Sequence, residues 1–246
     1  MNKILEVSNL SKTYHTVNEE ISALDNISFD LSKGEFISIV GPSGCGKSTI
    51  LSILCGLIDK SDGEICIRDG YKIAYMLQSD SLLPFKTVLD NCLIGLKINK
   101  KNTIENRNYV INLLKTYGLG DFLDKYPSRL SGGMRQRCAL IRTLALKPDI
   151  LLLDEAMSAL DFQTRLNIGD DIYKIIKKEG KTSIMVTHDI SEAISMSDKI
   201  IVLSKRPGKI KKIYDINLDN PTTPIKNRKD KNFSKYFEQI WEDLNE

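Results

Sequence analysis

The chain has 246 residues with 35 basic and 32 acidic side chains, and its net charge of +3 gives no electrostatic reason to expect a nucleic-acid partner. At 41% apolar and 27% charged residues, the composition is that of an ordinary globular protein, long enough for one large α/β domain or a core with a small second lobe. Five cysteines without a Cys-x-x-Cys pair and only two histidines leave no zinc-site spacing, and no run approaches the roughly 18 apolar residues of a spanning helix.

In chain order, Met1 to Glu6 meets charge before an apolar leader can develop, so an intracellular chain is expected, joined to any membrane only through a separate subunit. Short β-rich runs at Ile4–Val7, Ile27–Leu31 and Phe36–Val40 are punctuated by turn signals at Ser8-Asn9, Asp25-Asn26 and Lys33-Gly34. They predict a small, partly antiparallel sheet feeding a core strand. Tyr14, in a polar loop, is either a ring for stacking on a flat base or a plain surface tyrosine.

Directly after that core strand comes Gly41-Pro42-Ser43-Gly44-Cys45-Gly46-Lys47-Ser48-Thr49, followed by a helical apolar pattern at Ile50, Leu51, Ile53, Leu54 and Leu57. Strand, glycine-rich loop and helix together satisfy the P-loop pattern. The glycines let the backbone approach a ligand with its N–H groups directed at phosphate oxygens. Lys47 brings a compact charge to the β- and γ-phosphates, and the Ser48 hydroxyl suits Mg²⁺. Cys45 inside the loop and Cys138 after a Gly-Gly pair are expected to be non-catalytic thiols whose alkylation blocks activity.

A strand at Glu64–Ile67 and a core strand at Lys72–Leu77 follow, the latter closed by Gln78. From Ser79 to about Lys147 the pattern is helical, at Val88–Leu96, Ile104–Tyr117 and Gly132–Leu146, which reads as a helical insertion between core strands. Pro148 ends it. Ile150-Leu151-Leu152-Leu153 is then an unbroken apolar run, as in a strand buried on both faces, and it ends in Asp154-Glu155. Carboxylates at that end suit Asp154 to hold Mg²⁺, chiefly through water, and Glu155 to polarise an attacking water.

A helix at 165–179, a strand at Ser183–Val186 and Thr187-His188-Asp189 come next. His188 either hydrogen-bonds a γ-phosphate or is a capping or core histidine. Ile200–Leu203 is one more strand, and Arg206-Pro207-Gly208 turns into a ribbon at Lys209–Tyr214. Residues 217–232 read as a polar linker, after which Phe233, Tyr236, Phe237, Ile240, Trp241 and Leu244 form an apolar helical stripe. That stripe is expected to dock on its own domain or on a partner.

Leu130-Ser131-Gly132-Gly133-Met134-Arg135-Gln136-Arg137 opens a helix between the P-loop and Asp154-Glu155. Here the chain resembles the ATP-binding subunits of ABC transporters over nearly its whole length. The resemblance implies an α/β P-loop NTPase (RecA-like) core with an N-terminal antiparallel β subdomain and an inserted α-helical subdomain at about 84–147. The ATPase domain would occupy 1–216, and 217–246 the linker and C-terminal amphipathic helix. It assigns Tyr14 to adenine stacking, Gln78 to the Q-loop with a role in catalysis and at the metal, Ser131 to Gly133 to the signature, Ser158-Ala159-Leu160-Asp161 to the D-loop with Asp161 at the nucleotide, and His188 to the switch histidine.

A Ser-Gly-Gly turn at a helix N-terminus is itself an anion site. The family implies that each signature closes on the γ-phosphate held by a second copy, with two Mg²⁺-ATP sandwiched in a dimer. It further implies transmembrane permease subunits as partners at the cytoplasmic face of the cell membrane, an extracytoplasmic substrate-binding protein acting indirectly, and no nucleic acid. Leu82-Leu83-Pro84-Phe85, Ser131 to Arg137 and Ser204 to Ile210 look like the nitrate, sulfonate and taurine importer group, with Ala156 in place of its usual proline and Phe85 where tryptophan is common.

A GTPase reading lacks the Asn- or Thr-Lys-x-Asp guanine motif, a chromosome ATPase would carry a coiled coil between P-loop and signature, and a translation-factor ATPase would carry two cassettes. An exporter, a lipoprotein-release or vitamin- or metal-uptake ATPase, and a nucleotide-gated scaffold with little turnover remain as alternatives.

Overall fold

The computed structural model describes residues 3–15, 19–158, 160–219 and 221–245. Two sheets are stacked through a shared core. The first pairs β2 (Glu20–Ser32), β1 (Lys3–His15) and β4 (Asp62–Ile67) in that spatial order, all antiparallel. The second has six strands in the order β5 (Ile73–Met76), β6 (Ile150–Asp154), β7 (Thr182–Thr187), β3 (Phe36–Val40), β8 (Lys199–Leu203) and β9 (Ile210–Asp215). All its neighbours run parallel except β9, which folds back on β8.

The unbroken apolar strands divide their side chains between layers with period two. In β6, Ile150 and Leu152 pack under the three-stranded sheet, while Leu151 and Leu153 face the helical layer. In β8, Ile201 and Leu203 join the first of these layers, and Ile200 and Val202 face a third cluster. Helix α1 (Lys47–Leu54) lies between the sheets. Helices α2 (Val88–Ile98), α3 (Ile104–Thr116), α4 (Gly132–Leu144) and α5 (Phe162–Lys178) build the helical layer, and α6 (Ile190–Met196) lies on the opposite side.

Strands β1 and β2 are far longer than the apolar runs that signalled them. Asn9 and Asn26, expected as turn residues, sit inside the ladder at φ 52° and 57° beside shifts in register, so they are bulges. The Asn9 N–H donates to Ser28 Oγ at 2.8 Å, which holds the bulge across the pair.

The stretch expected as a polar linker contains α7 (Pro224–Asn227) and is fastened to the body. The Ile225 N–H donates to Asp170 of α5 at 3.2 Å, and the buried Asn227 amide donates to the Ser195 carbonyl of α6 at 2.8 Å. Helix α8 (Phe233–Asn245) then docks on its own domain, with Ile240 fully buried among Ile194, Ile200 and Val202. Trp241, expected on the docking stripe, is 56% exposed and stacks on Phe237 at 6.3 Å between ring centroids. Among the described residues no helix is long and apolar enough to cross a membrane.

Candidate active site

The carboxyl ends of β3, β5, β6 and β7 converge, and the loops leaving them carry the reactive side chains. After Val40 the chain enters the phosphate loop and reaches α1 through Gly46, whose φ is 101°. A Cβ at Gly46 would lie 2.6 Å from Leu24 Cδ2 and 2.9 Å from the Ala23 carbonyl, so only glycine lets the loop rest on β2.

The buried Lys47 ammonium donates to the carbonyls of Gly41 at 2.8 Å and Pro42 at 3.0 Å. With two of three donors fixed on the loop, the position of its charge is set before any ligand arrives. Cys45 is 1% exposed, and burial pushes its thiol above the ordinary range despite the neighbouring Lys47. Cys138 is fully buried as well, so alkylation of either thiol requires the fold to open.

Asp154 closes β6 with both carboxylate oxygens engaged. Ser48 Oγ donates to Oδ1 at 2.9 Å and the Tyr75 phenol donates to Oδ2 at 2.6 Å. Burial, and then the bond to Asp154, push the Tyr75 phenol well above its usual range. Glu155 follows at φ 42°, a left-handed turn fixed by its N–H donating to the Val186 carbonyl at 2.9 Å. Two groups then meet one of its oxygens: Gln78 Nε2 donates to Oε2 at 3.1 Å, and His188 Nδ1 lies 3.3 Å from the same atom. The ends of β5, β6 and β7 thus gather Gln78, Glu155 and His188 into one cluster.

A cleft of about 460 Å³, within the usual range for small-molecule sites, takes in Lys47, Ser48, Gln78 and Glu155, with Asp154 and His188 outside its lining and joined to it through Ser48 and Glu155. Tyr14, Ile21 and Ala23 form one wall, Ser43, Gly44, Gly46, Lys47, Ser48 and Thr49 the floor, and Gln78, Glu155 and Arg206 also line it. Tyr14 is 36% exposed, with Lys12 Nζ 5.0 Å from its ring centroid.

The remaining expected residues are elsewhere. Ser131, Gly132, Gly133 and Asp161 do not line the cleft among the described residues. Ser131 is exposed and caps α4, accepting the Met134 N–H at 3.3 Å. A Cβ on Gly133 would stand 2.4 Å from Ile168 Cδ1, so this glycine is a spacer where α4 crosses α5. Asp161 caps α5 by accepting the Thr164 N–H at 3.0 Å, and the bonds from that helix start lower its carboxyl from the usual value. Ala159 of the expected D-loop lies outside the described residues.

The donor set fits Mg²⁺: a hydroxyl, a carboxylate and an amide side chain offer hard oxygens, and a single buried carboxylate leaves most positions to water and phosphate. The loop floor fits a polyphosphate, since the Gly46 position excludes a side chain and Lys47 supplies a fixed charge. Two residues escaped the sequence reading. Tyr75 was legible only as part of a strand, and Arg206 only as part of a turn within the Ser204 to Ile210 run.

The family model described as ABC transporter matches residues 24–158. An uncharacterized ABC transporter ATP-binding protein of Bacillus subtilis is 46% identical, over 98% of this chain and 95% of its own length. An aliphatic sulfonates import ATP-binding protein of Shouchella clausii is 42% identical, over 88% of this chain and 83% of its own. A solved ATP-binding cassette, dimeric and bound to ADP and Pi after hydrolysis, matches with a TM-score of 0.73 at 33% identity, covering 87% of this chain and 99% of that one.

Proposed function

This chain belongs to the ABC transporter family as an ATP-binding ATPase subunit, and from that premise we propose that it powers uptake of a small anion through a separate membrane permease. In this reading Glu155 accepts the proton of the attacking water, Gln78 and His188 hold that carboxylate in place, and Lys47 offsets charge on the terminal phosphates. Ser48 and Asp154 would hold Mg²⁺, with the Gln78 amide oxygen as a further donor. Bound Mg²⁺ supplies further charge neutralisation there. The observation that carries the assignment is the convergence of Gln78 and His188 on one oxygen of Glu155, in a cleft shared with Lys47 and Ser48.

The exposed signature cap at Ser131, outside the cleft of its own chain, favours completion by a second copy, with two ATP molecules between the two chains. Residues 1–216 form the ATPase unit of this proposal, with the insertion at about 84–147 facing the permease and 217–246 added behind it. Import of a nitrate-, sulfonate- or taurine-type solute is favoured by the sulfonate-import relative and by the Ser204 to Ile210 run.

The test is Glu155→Gln. ATP binding persists while steady-state turnover of the complex with its permease falls by about 10²–10⁴, the usual contribution of a positioned general base. Wild-type turnover in that variant removes Glu155 from the role. A thermal-shift screen of the partner binding protein against sulfonates, nitrate, pyrimidines and amino acids addresses the solute.

A further inference from the structure

We infer that Arg206 is a further ATP-binding residue, whose guanidinium contacts the polyphosphate from the turn between β8 and β9. The inference rests on the ATP-site assignment above and adds a residue to it. Arg206 lines the same cleft as Tyr14, Ser43, Gly44 and Lys47, yet belongs to none of the phosphate-binding motifs. It is exposed, and among the described residues its guanidinium has no hydrogen-bond or ion-pair partner. Its basic neighbour Lys209, in contrast, is paired with Asp25 at 2.8 Å.

The turn that carries Arg206 is built against the ligand floor. The Gly208 N–H donates to the Ala23 carbonyl at 2.9 Å, and the Gly208 carbonyl accepts the Asp25 N–H at 3.0 Å. Gly208 lies so near the phosphate loop that a Cβ there would stand 2.2 Å from the Cys45 carbonyl oxygen. Inside the turn, the Ser204 hydroxyl donates to the Pro207 carbonyl at 3.1 Å and accepts the Lys209 N–H at 3.0 Å. Arg206 is therefore two residues from a backbone joined both to the wall at Ala23 and to the loop at Cys45. A side chain held by a fixed backbone loses less freedom on binding.

Chemistry selects the phosphates over the base. A guanidinium presents a planar fork that matches phosphate oxygens in pairs. Two carbonyls take donors of the Lys47 ammonium and Glu155 adds negative charge to the same cleft, so a polyphosphate there gains from the Arg206 guanidinium in addition to Lys47 and bound Mg²⁺. The turn is fastened to the loop at Cys45 as well as to the wall at Ala23, so its backbone stands beside both the loop and the wall, and the chemistry of the guanidinium selects the phosphates.

The experiment titrates the full chain and its Arg206→Ala and Arg206→Lys variants with ATP, ADP, AMP and adenosine by calorimetry, with thermal melts as the folding control. We expect Arg206→Ala to weaken ATP by about tenfold or more, as for loss of a charged hydrogen bond. ADP should weaken less, adenosine should be unchanged, and Arg206→Lys should recover part of the loss. Equal weakening of adenosine and ATP would overturn the phosphate contact in favour of the nucleoside. Unchanged ATP affinity in Arg206→Ala would overturn the inference alone, whereas a wild-type chain that fails to bind ATP would overturn the site assignment and the inference together. If Arg206→Ala melts early, Arg206→Gln replaces it with the same expected ranking.

Discussion

The Tyr75 phenol donates to Asp154 at 2.6 Å, from the middle of one strand to the carboxylate that ends the next. Tyr75 pairs with Leu152 in the parallel ladder, so its ring reaches forward past Leu153 to the strand end. With Ser48 on the other oxygen, the carboxylate is held by two hydroxyls before any cation binds.

Tyr75→Phe keeps the ring and removes one of those donors. Loss of a hydrogen bond to a charged group costs about 1.5–3 kcal/mol, so the variant should unfold at lower urea. Its ATPase should also need more Mg²⁺ for half-maximal rate, with less change at saturating Mg²⁺. A Mg²⁺ titration indistinguishable from wild type would separate Tyr75 from the metal site.

Glu192 is 6% exposed in α6 and accepts the Thr187 hydroxyl at 2.6 Å. Burial raises its carboxyl above the usual range, helped by Asp189 and opposed by the Thr187 bond and by Arg165 and Arg228. The folded chain therefore keeps a proton that the unfolded chain releases near the ordinary value of about 4.3. Stability from this group is complete below that pH and is lost as pH rises through the raised folded value. Glu192→Gln removes the dependence, so the melting temperature of the variant relative to wild type should climb as pH goes from about 4 to 7. Parallel curves would show that Glu192 titrates normally.

Ile240 and Trp241 are neighbours in α8 with opposite surroundings, fully buried and 56% exposed. Ile240→Ala empties a site among Ile194, Ile200 and Val202 and should cost about 2–5 kcal/mol in denaturant titrations. Trp241→Ala should stay within roughly 1 kcal/mol, since only the stack on Phe237 is lost. Similar losses for both would mean that the helix turns its other face to the body.

Much of the fold was written in local pattern. The unbroken run at Ile150–Leu153 announced a strand covered on both faces because it feeds two cores, one residue to each in turn. The phosphate loop was legible because strand, glycines and helix are contiguous. The lengths of β1 and β2 were hidden by Asn9 and Asn26, since asparagine tolerates positive φ in a bulge and in a turn alike. The facing of α8 depends on helix rotation, which a broad apolar stripe leaves open at Trp241. Tyr75 and Arg206 reach the site through contacts between strands distant in sequence, and no spacing along the chain encodes those.

The close approach of Gly133 to Ile168 also constrains how this sequence can change over generations. A methyl group at 133 meets the outer atoms of Ile168, so substitution there first requires that isoleucine to move, whatever the residue does for a ligand. Trimming Ile168 beforehand would open the space at the expense of buried contacts. The two positions should thus be epistatic: Gly133→Ala alone is costly, Ile168→Ala alone is moderately so, and the pair costs less than their sum. A smaller residue at 168 would ease the departure from glycine at 133.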